Sequence, residues 1–98
     1  MSREVVVRSE AERDIRDARR WYATISPVLG EQFLEAVDQA ITSSADKPRA
    51  FPVIYRSLRR VLLRKFPYAL FFVAEETRVI VVGVLHQARH PRLSQRRK

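Results

Sequence analysis

The spacing of apolar residues in the first half of the chain predicts two amphipathic helices. In residues 9–25, apolar side chains recur every three or four positions and share one helical face: Ala11, Ile15, Ala18, Tyr22 and Ile25. The opposite, solvated face carries charges of both signs: Arg13, Asp14, Arg16, Asp17 and Arg20. Ser9 and Glu12 have the spacing of a capping box, which satisfies the first unpaired amides of a helix. A Val-rich strand, Glu4 to Arg8, precedes this helix.

A second helix is predicted after a short break at Ser26 and Pro27. Serine is a good N-cap, and proline is tolerated at the first helical position because its missing amide hydrogen would be unpaired there. Gly30 is a poor helix former and favours a later start. The buried side is defined by five residues: Phe33, Val37, Ala40, Ile41 and Ser44. The helix should end at Lys47, before Pro48, and the two helices should form an antiparallel hairpin.

The spacing becomes that of β-strands after residue 57. Residues 48–55 are predicted to form a loop. Three strands then follow, at residues 58–66, 68–76 and 78–86, with turns at Phe66-Pro67 and Glu76-Thr77. The last strand is apolar on both faces, which is typical of a central strand.

The predicted element order is β-α-α-β-β-β in a single domain spanning residues 1–98. This is an α+β fold in which a helical hairpin packs on one face of a small, mainly antiparallel sheet. The other face is left uncovered, with four basic residues on it or at its rim: Arg59, Arg60, Arg64 and Lys65. The end of the sequence, residues 92–98, is a basic tail.

The net charge of +8 is distributed unevenly along the chain. Residues 1–50 contain eight basic and nine acidic residues, whereas residues 51–98 contain eleven basic and two acidic residues. Such a field attracts polyanions or an acidic protein. There is no cysteine for a disulfide or thiolate site, and no stretch that resembles a signal peptide or a membrane span. We therefore expect a soluble cytoplasmic protein.

The candidate chemistry lies where the last strand ends. His86 is followed closely by Arg89 and His90. Histidine can act as an acid or base near neutral pH, and arginine can stabilise phosphate charge, a combination suited to metal-independent RNA cleavage. The alternative is an ordinary strand end with solvated arginines. No metal site is expected, because the two histidines straddle the strand end.

Several motifs, spread over nearly the whole chain, resemble the RelE/ParE superfamily of bacterial toxin–antitoxin toxins. They are SEAERDI, GEQFLEAVDQAI, PRAFP, RKFPYALFF and VLHQARHP. RelE-like members cut messenger RNA on the ribosome, and ParE-like members poison DNA gyrase. The chain departs from the RelE pattern: Ala69 stands where a strand arginine is usual, HQA replaces a Lys-Arg pair, and no aromatic residue follows Phe72. The VLHQ ending is more similar to ParE.

The resemblance implies a plasmid-stabilisation toxin that inhibits DNA gyrase and is not an enzyme. It also implies a cognate acidic antitoxin across the sheet, in a hetero-oligomer, and no cofactor. The expected target-binding residues are Arg60, Arg64, His86, Arg89, His90 and Arg92.

Two alternatives to the gyrase inhibitor remain open. One is a RelE-like, ribosome-dependent endoribonuclease of messenger RNA, with His86 as the acid or base. Its phosphate-binding residues would be Arg64, Lys65 and Arg89. The other is a nontoxic basic binding module.

Overall fold

The computed structural model describes residues 3–88. The expected site residues Arg89, His90 and Arg92, and the basic tail, lie outside the described residues. The elements are β1 Glu4–Val7, α1 Ser9–Ile25, α2 Pro27–Asp46, a 3₁₀ turn Pro48–Ala50, β2 Val53–Tyr55, β3 Leu58–Leu62, β4 Tyr68–Ala74 and β5 Arg78–His86.

The two helices pack on a five-stranded sheet with the order β1-β5-β4-β3-β2. β1 runs parallel to β5, and all the other neighbours are antiparallel. The α+β prediction is confirmed, including the central place of β5. The prediction of a loop at residues 48–55 was wrong, because this segment contains the 3₁₀ turn and β2. A strand of three residues is too short to show a recognisable alternation.

The start of α1 differs from the capping-box prediction. Arg8 occupies the N-cap position, and no side chain caps the helix. The backbone of Arg8 is held by the sheet, because its amide donates to the Val81 carbonyl at 3.0 Å. Ser9 is therefore already helical, one residue too late to serve as the cap. At the other end, Ile25 is 61% exposed and does not join the predicted buried face.

α2 begins at Pro27, as Ser26 and Pro27 predicted, and Gly30 lies inside the helix without delaying its start. Ser26 occupies the N-cap position as expected, although its side chain makes no capping hydrogen bond. A Cβ atom on Gly30 would lie 3.0 Å from the Ala23 Cβ and 3.3 Å from the Arg19 carbonyl oxygen. This glycine therefore allows the two helices to approach each other closely.

The main core lies between the helices and the sheet. Among its fully buried side chains are Phe33, Leu70, Phe72, Val79 and Val81. Four aromatic rings close the end of this core near the α1–α2 turn. The Tyr22 ring lies 5.5 Å from that of Phe33 and 4.8 Å from that of Phe66, and the Phe33 and Tyr68 centroids are 5.2 Å apart.

A second apolar cluster lies on the sheet side away from this core, which we call the second face. Its buried members are Leu58, Ala69, Phe71, Val82 and Leu85, and the half-buried residues Ile54, Val73 and Ile80 pack against them. All of these are residues of β2, β3, β4 or β5. The protein therefore buries apolar side chains on both sides of its sheet.

Candidate functional site

His86 is the last residue of β5 and faces the helices. A bulge in β5 places it there: Phe72 pairs with Val81 and Phe71 with Gly83, so Val82 is the additional residue. Beyond the bulge, His86 pairs with Tyr68, and the two rings meet edge to face at 5.2 Å. The His86 Nδ1 atom accepts a hydrogen bond from the Ala88 amide at 3.1 Å. The ring is therefore oriented by two contacts.

His86 lines a groove between α1 and the end of β5, which we call the α1–β5 groove. Its lining residues are Asp14, Asp17, Ala18, Trp21, Tyr68, Val84, Leu85 and His86. The two charged residues contributed by α1 are both acidic. The described surroundings of His86 thus differ from the basic cluster that its neighbours in the sequence suggested.

Asp14 holds the backbone of β5 in place. β1 ends at Val7, opposite Val81, so the described structure gives the last residues of β5 no strand neighbour on that side. The Asp14 Oδ2 atom accepts a hydrogen bond from the Val84 amide at 3.0 Å. The sequence pattern assigned Asp14 to the solvated face of α1, whereas the structure shows it half-buried. Spacing within one helix carries no information about this partner, which is 70 residues away.

Asp14→Ala should lower the free energy of unfolding. The Val84 amide would lose its carboxylate acceptor, and an unsatisfied, partly buried amide costs about 1–3 kcal/mol. For a domain of this size, each kcal/mol corresponds to a melting-temperature shift of about 4–8 °C. Thermal unfolding followed by circular dichroism measures the change. Asp38→Ala, at an exposed position of α2, is the control and should melt close to wild type; equal shifts for the two variants would contradict the assigned role.

Arg64 and Lys65 lie in the loop between β3 and β4, against α2. They share a depression there with Gln32, Glu35, Ala36, Gln39 and Phe66. Lys65 has φ of 69°, a left-handed conformation that is uncommon for a residue other than glycine. His86 lines the groove against α1 instead. The described residues of the nuclease alternative are thus divided between two surfaces.

The same loop nevertheless meets the end of β5. The Gln87 amide donates to the Pro67 carbonyl at 3.0 Å, beside the pairing of Tyr68 with His86. Arg64, Lys65 and His86 therefore occupy the same end of the sheet, the first two against α2 and His86 against α1. The chain leaves the described region from this end, towards Arg89.

The second face is mainly apolar, rather than basic as the arginine-rich sequence of β3 suggested. Arg60 lies on this face, opposite Phe71 of the second apolar cluster. Arg59 lies on the helix-bearing side, opposite Phe72, where its Nη1 atom donates to the Phe51 carbonyl at 2.6 Å. The expectation for Arg59 was therefore wrong, because adjacent residues of a strand point to opposite faces.

At the outer edge of the sheet, β2 covers only the first part of β3. β2 pairs with Leu58 and Arg59 of β3, which leaves the end of β3 without a strand neighbour in the described structure. Leu62, at this end, is 54% exposed. The second face thus combines a buried apolar centre with an exposed leucine at its rim.

The sequence matches the family model of the ParE toxin of type II toxin–antitoxin systems (parDE) over residues 5–91. The chain belongs to this family. The ParE-like assignment made from the motifs is confirmed, and the RelE/ParE fold with it.

Among solved structures, this ParE family member is similar to the "Chromosomal ParDE TA system from P. aeruginosa". The TM-score is 0.75, and the match covers 87% of this chain and 96% of the other. The two sequences are 11% identical, so the likeness concerns the fold. No curated protein sequence gives a significant match.

The family match includes both helices and all the strands of the ParE fold described above, except Glu4 at the start of β1, and it ends before the basic tail. It also includes Arg89 and His90. Within residues 3–88, neither helix is long and apolar enough to cross a membrane.

Proposed function

We propose that this protein is a ParE-like toxin that acts in the cytoplasm, where it inhibits DNA gyrase and is neutralised by a cognate antitoxin. The observation that carries the proposal is the family match, which covers residues 5–91. The similar structure from P. aeruginosa is titled as a ParDE toxin–antitoxin system. We place the antitoxin on the second face, and the target contact at the end of the sheet near His86.

The composition of the second face supports antitoxin binding there. Its half-buried rim contains Ile54, Val73 and Ile80, and Leu62 extends the apolar surface towards the open edge of β3. Apolar surface of this kind is a feature of protein contact sites. The net charge of +8 favours an acidic partner, since opposite charge speeds and orients association.

Leu62→Lys should weaken antitoxin binding at least tenfold without unfolding the toxin. A buried lysine at the contact would lose hydration, and the loss of one well-buried apolar anchor costs about 2 kcal/mol or more. Isothermal titration with the purified antitoxin measures the affinity. Val28→Lys is the matched control, because Val28 is 60% exposed at the helical hairpin. Equal affinity for the two variants would show that the antitoxin binds elsewhere.

The surroundings of His86 favour a binding role over proton transfer. Its Nδ1 atom is engaged by the Ala88 amide, and among residues 3–88 the charged residues that line its groove with it are carboxylates rather than phosphate-binding arginines. Arg64 and Lys65 approach the same end of the sheet from the side of α2. We propose Arg60, Arg64, His86, Arg89, His90 and Arg92 as target-binding residues.

A direct test measures the target. Purified toxin should inhibit supercoiling by gyrase, and the antitoxin should relieve the inhibition. The same preparation should leave messenger RNA intact on translating ribosomes. Cleavage of messenger RNA without gyrase inhibition would replace this proposal with the ribosome-dependent endoribonuclease.

A further inference from the structure

The tip of the helical hairpin carries an exposed apolar patch, which we call the hairpin patch. It consists of Trp21, Ile25 and Val28, which are 54%, 61% and 60% exposed. Trp21 and Ile25 lie one turn apart on the same side of α1, and Val28 follows in the first turn of α2. Among the described residues, the other large apolar side chains with comparable exposure are Val53 and Leu62. Exposed apolar surface is thus concentrated at this tip.

The contacts that hold the tip of the hairpin together are made by other residues. Tyr22 points into the core, where its ring lies 4.8 Å from that of Phe66 and 6.1 Å from that of Tyr68. The close approach of the two helices occurs at Gly30 and Ala23. A cluster of apolar side chains that is exposed outside the core is a feature of protein contact sites. The hairpin patch is therefore a candidate for an interface.

The hairpin patch adjoins the end of the sheet at which we place the target contact. Trp21 lines the α1–β5 groove together with His86. Next to Trp21 in the sequence, Tyr22 contacts Phe66, which follows Lys65 in the loop between β3 and β4. The patch, His86 and this loop therefore share one end of the molecule.

The proposed target contact has no apolar centre without this patch. Its residues are all arginines and histidines, and charged groups at an interface mainly speed and orient association. The centre of a protein interface is apolar and rich in aromatic residues, and a few side chains there supply most of the affinity. The hairpin patch has this composition, with one tryptophan and two aliphatic residues.

The position of the hairpin patch does not suit the antitoxin. We place the antitoxin on the second face, whereas the helices pack on the opposite side of the sheet. The groove beside the patch contributes Asp14 and Asp17, and like charges across an interface oppose binding of an acidic partner. The target is therefore the partner that fits the patch.

We infer that the hairpin patch is the apolar anchor of the contact with gyrase. This inference rests on the proposed function, and it adds the side chains that supply most of the affinity. Trp21 and Ile25 form the centre of the contact. Arg64 and His86, at the adjoining end of the sheet, belong to its polar rim.

Ile25→Lys should weaken the inhibition of gyrase supercoiling about tenfold or more, and Trp21→Ala should act in the same direction. A lysine at the centre of the contact would lose its hydration, and truncation of the tryptophan would remove the largest apolar side chain of the patch. The readout is the concentration of purified full-length toxin that gives half-maximal inhibition, together with its affinity for immobilised gyrase. Val53→Lys is the matched control and should inhibit as wild type does, because Val53 is 49% exposed but lies on β2.

Two further measurements on the same variants exclude indirect effects. Circular dichroism melts should match wild type, because each side chain of the patch is more than half exposed. The affinity for the purified antitoxin, from isothermal titration, should also be unchanged.

Wild-type inhibition by both Ile25→Lys and Trp21→Ala would overturn the inference and leave the gyrase proposal standing. A parallel loss of antitoxin affinity would assign the patch to the antitoxin. Wild-type dimers in sedimentation that disappear in Ile25→Lys, with inhibition retained, would assign it to a second copy. Either result would likewise overturn the inference. A wild-type toxin that does not inhibit gyrase would overturn the proposed function itself, so the two failures are distinguishable.

Discussion

Deletion of residues 92–98, or Arg89→Ala, should abolish growth arrest, whereas His86→Gln should leave it largely intact. If the toxin acts by contacting gyrase, charge and shape at the end of the sheet matter more than proton transfer. In the wild type, the Nδ1 atom of His86 accepts a hydrogen bond from the Ala88 amide at 3.1 Å. Glutamine retains a hydrogen-bonding group of similar size next to this amide. The measurement is growth on induction, scored together with a DNA-damage reporter and with messenger-RNA cleavage.

The nuclease alternative predicts the reverse order. Removal of a general acid or base typically lowers the rate about 100- to 10,000-fold, so His86→Gln would then be harmless to the cell. Each variant must first be shown to fold and to bind the antitoxin. A variant in which residues 92–98 are replaced by an uncharged sequence of the same length separates the loss of charge from the shortening of the chain. A folded, antitoxin-binding His86→Gln protein without toxicity would contradict the gyrase proposal.

Val81→Asp should unfold the domain. Val81 is fully buried, pairs with Val7 on one side, and lies opposite Phe72 on the other. An unpaired carboxylate in this position costs several kcal/mol, out of a total stability of about 5–15 kcal/mol for a small domain. Circular dichroism melts and urea titration should show no cooperative transition. Ile15→Asp should act in the same direction but less severely, because Ile15 is half-buried on α1.

Val53→Asp is the matched control for this experiment. Val53 is also a strand valine, but it lies on the edge strand β2 and is 49% exposed. Its carboxylate would remain hydrated, so stability should change by less than about 1 kcal/mol, as for most surface substitutions. A Val81→Asp protein that melts near wild type would show that the assignment of the sheet faces is wrong.

The helices and the long strands could be predicted because each carries its signal over several turns or alternations. α1 and α2 show the periodicity of a helix with one buried side, and their boundary is marked by Ser26 and Pro27. β5 is apolar on both faces, and the structure places Val79 and Val81 in the main core and Val82 in the second cluster. These features depend on neighbours along the chain.

Short elements and exceptions to the pattern were less predictable. β2 has three residues, too few for an alternation to appear. The capping box at Ser9 failed because β5 holds Arg8. Gly30 lies within α2 at a position where a larger side chain would meet Ala23. In each case a distant or tertiary contact outweighed a local preference.

The sequence by itself determined the family, the α+β class, the helical hairpin and the uneven charge, because these depend on residue types in a given order. The tertiary structure alone decided which side chains share a surface. One additional residue at the β5 bulge sets the side to which His86 points, since a shift of one position exchanges the faces of a strand. The bulge therefore placed His86 beside Asp14 and Asp17 rather than beside Arg60 on the second face. Strand alternation alone separates Arg59 from Arg60, but the pairing of β3 with β4 decided which of the two arginines lies on the helix-bearing side and which on the second face.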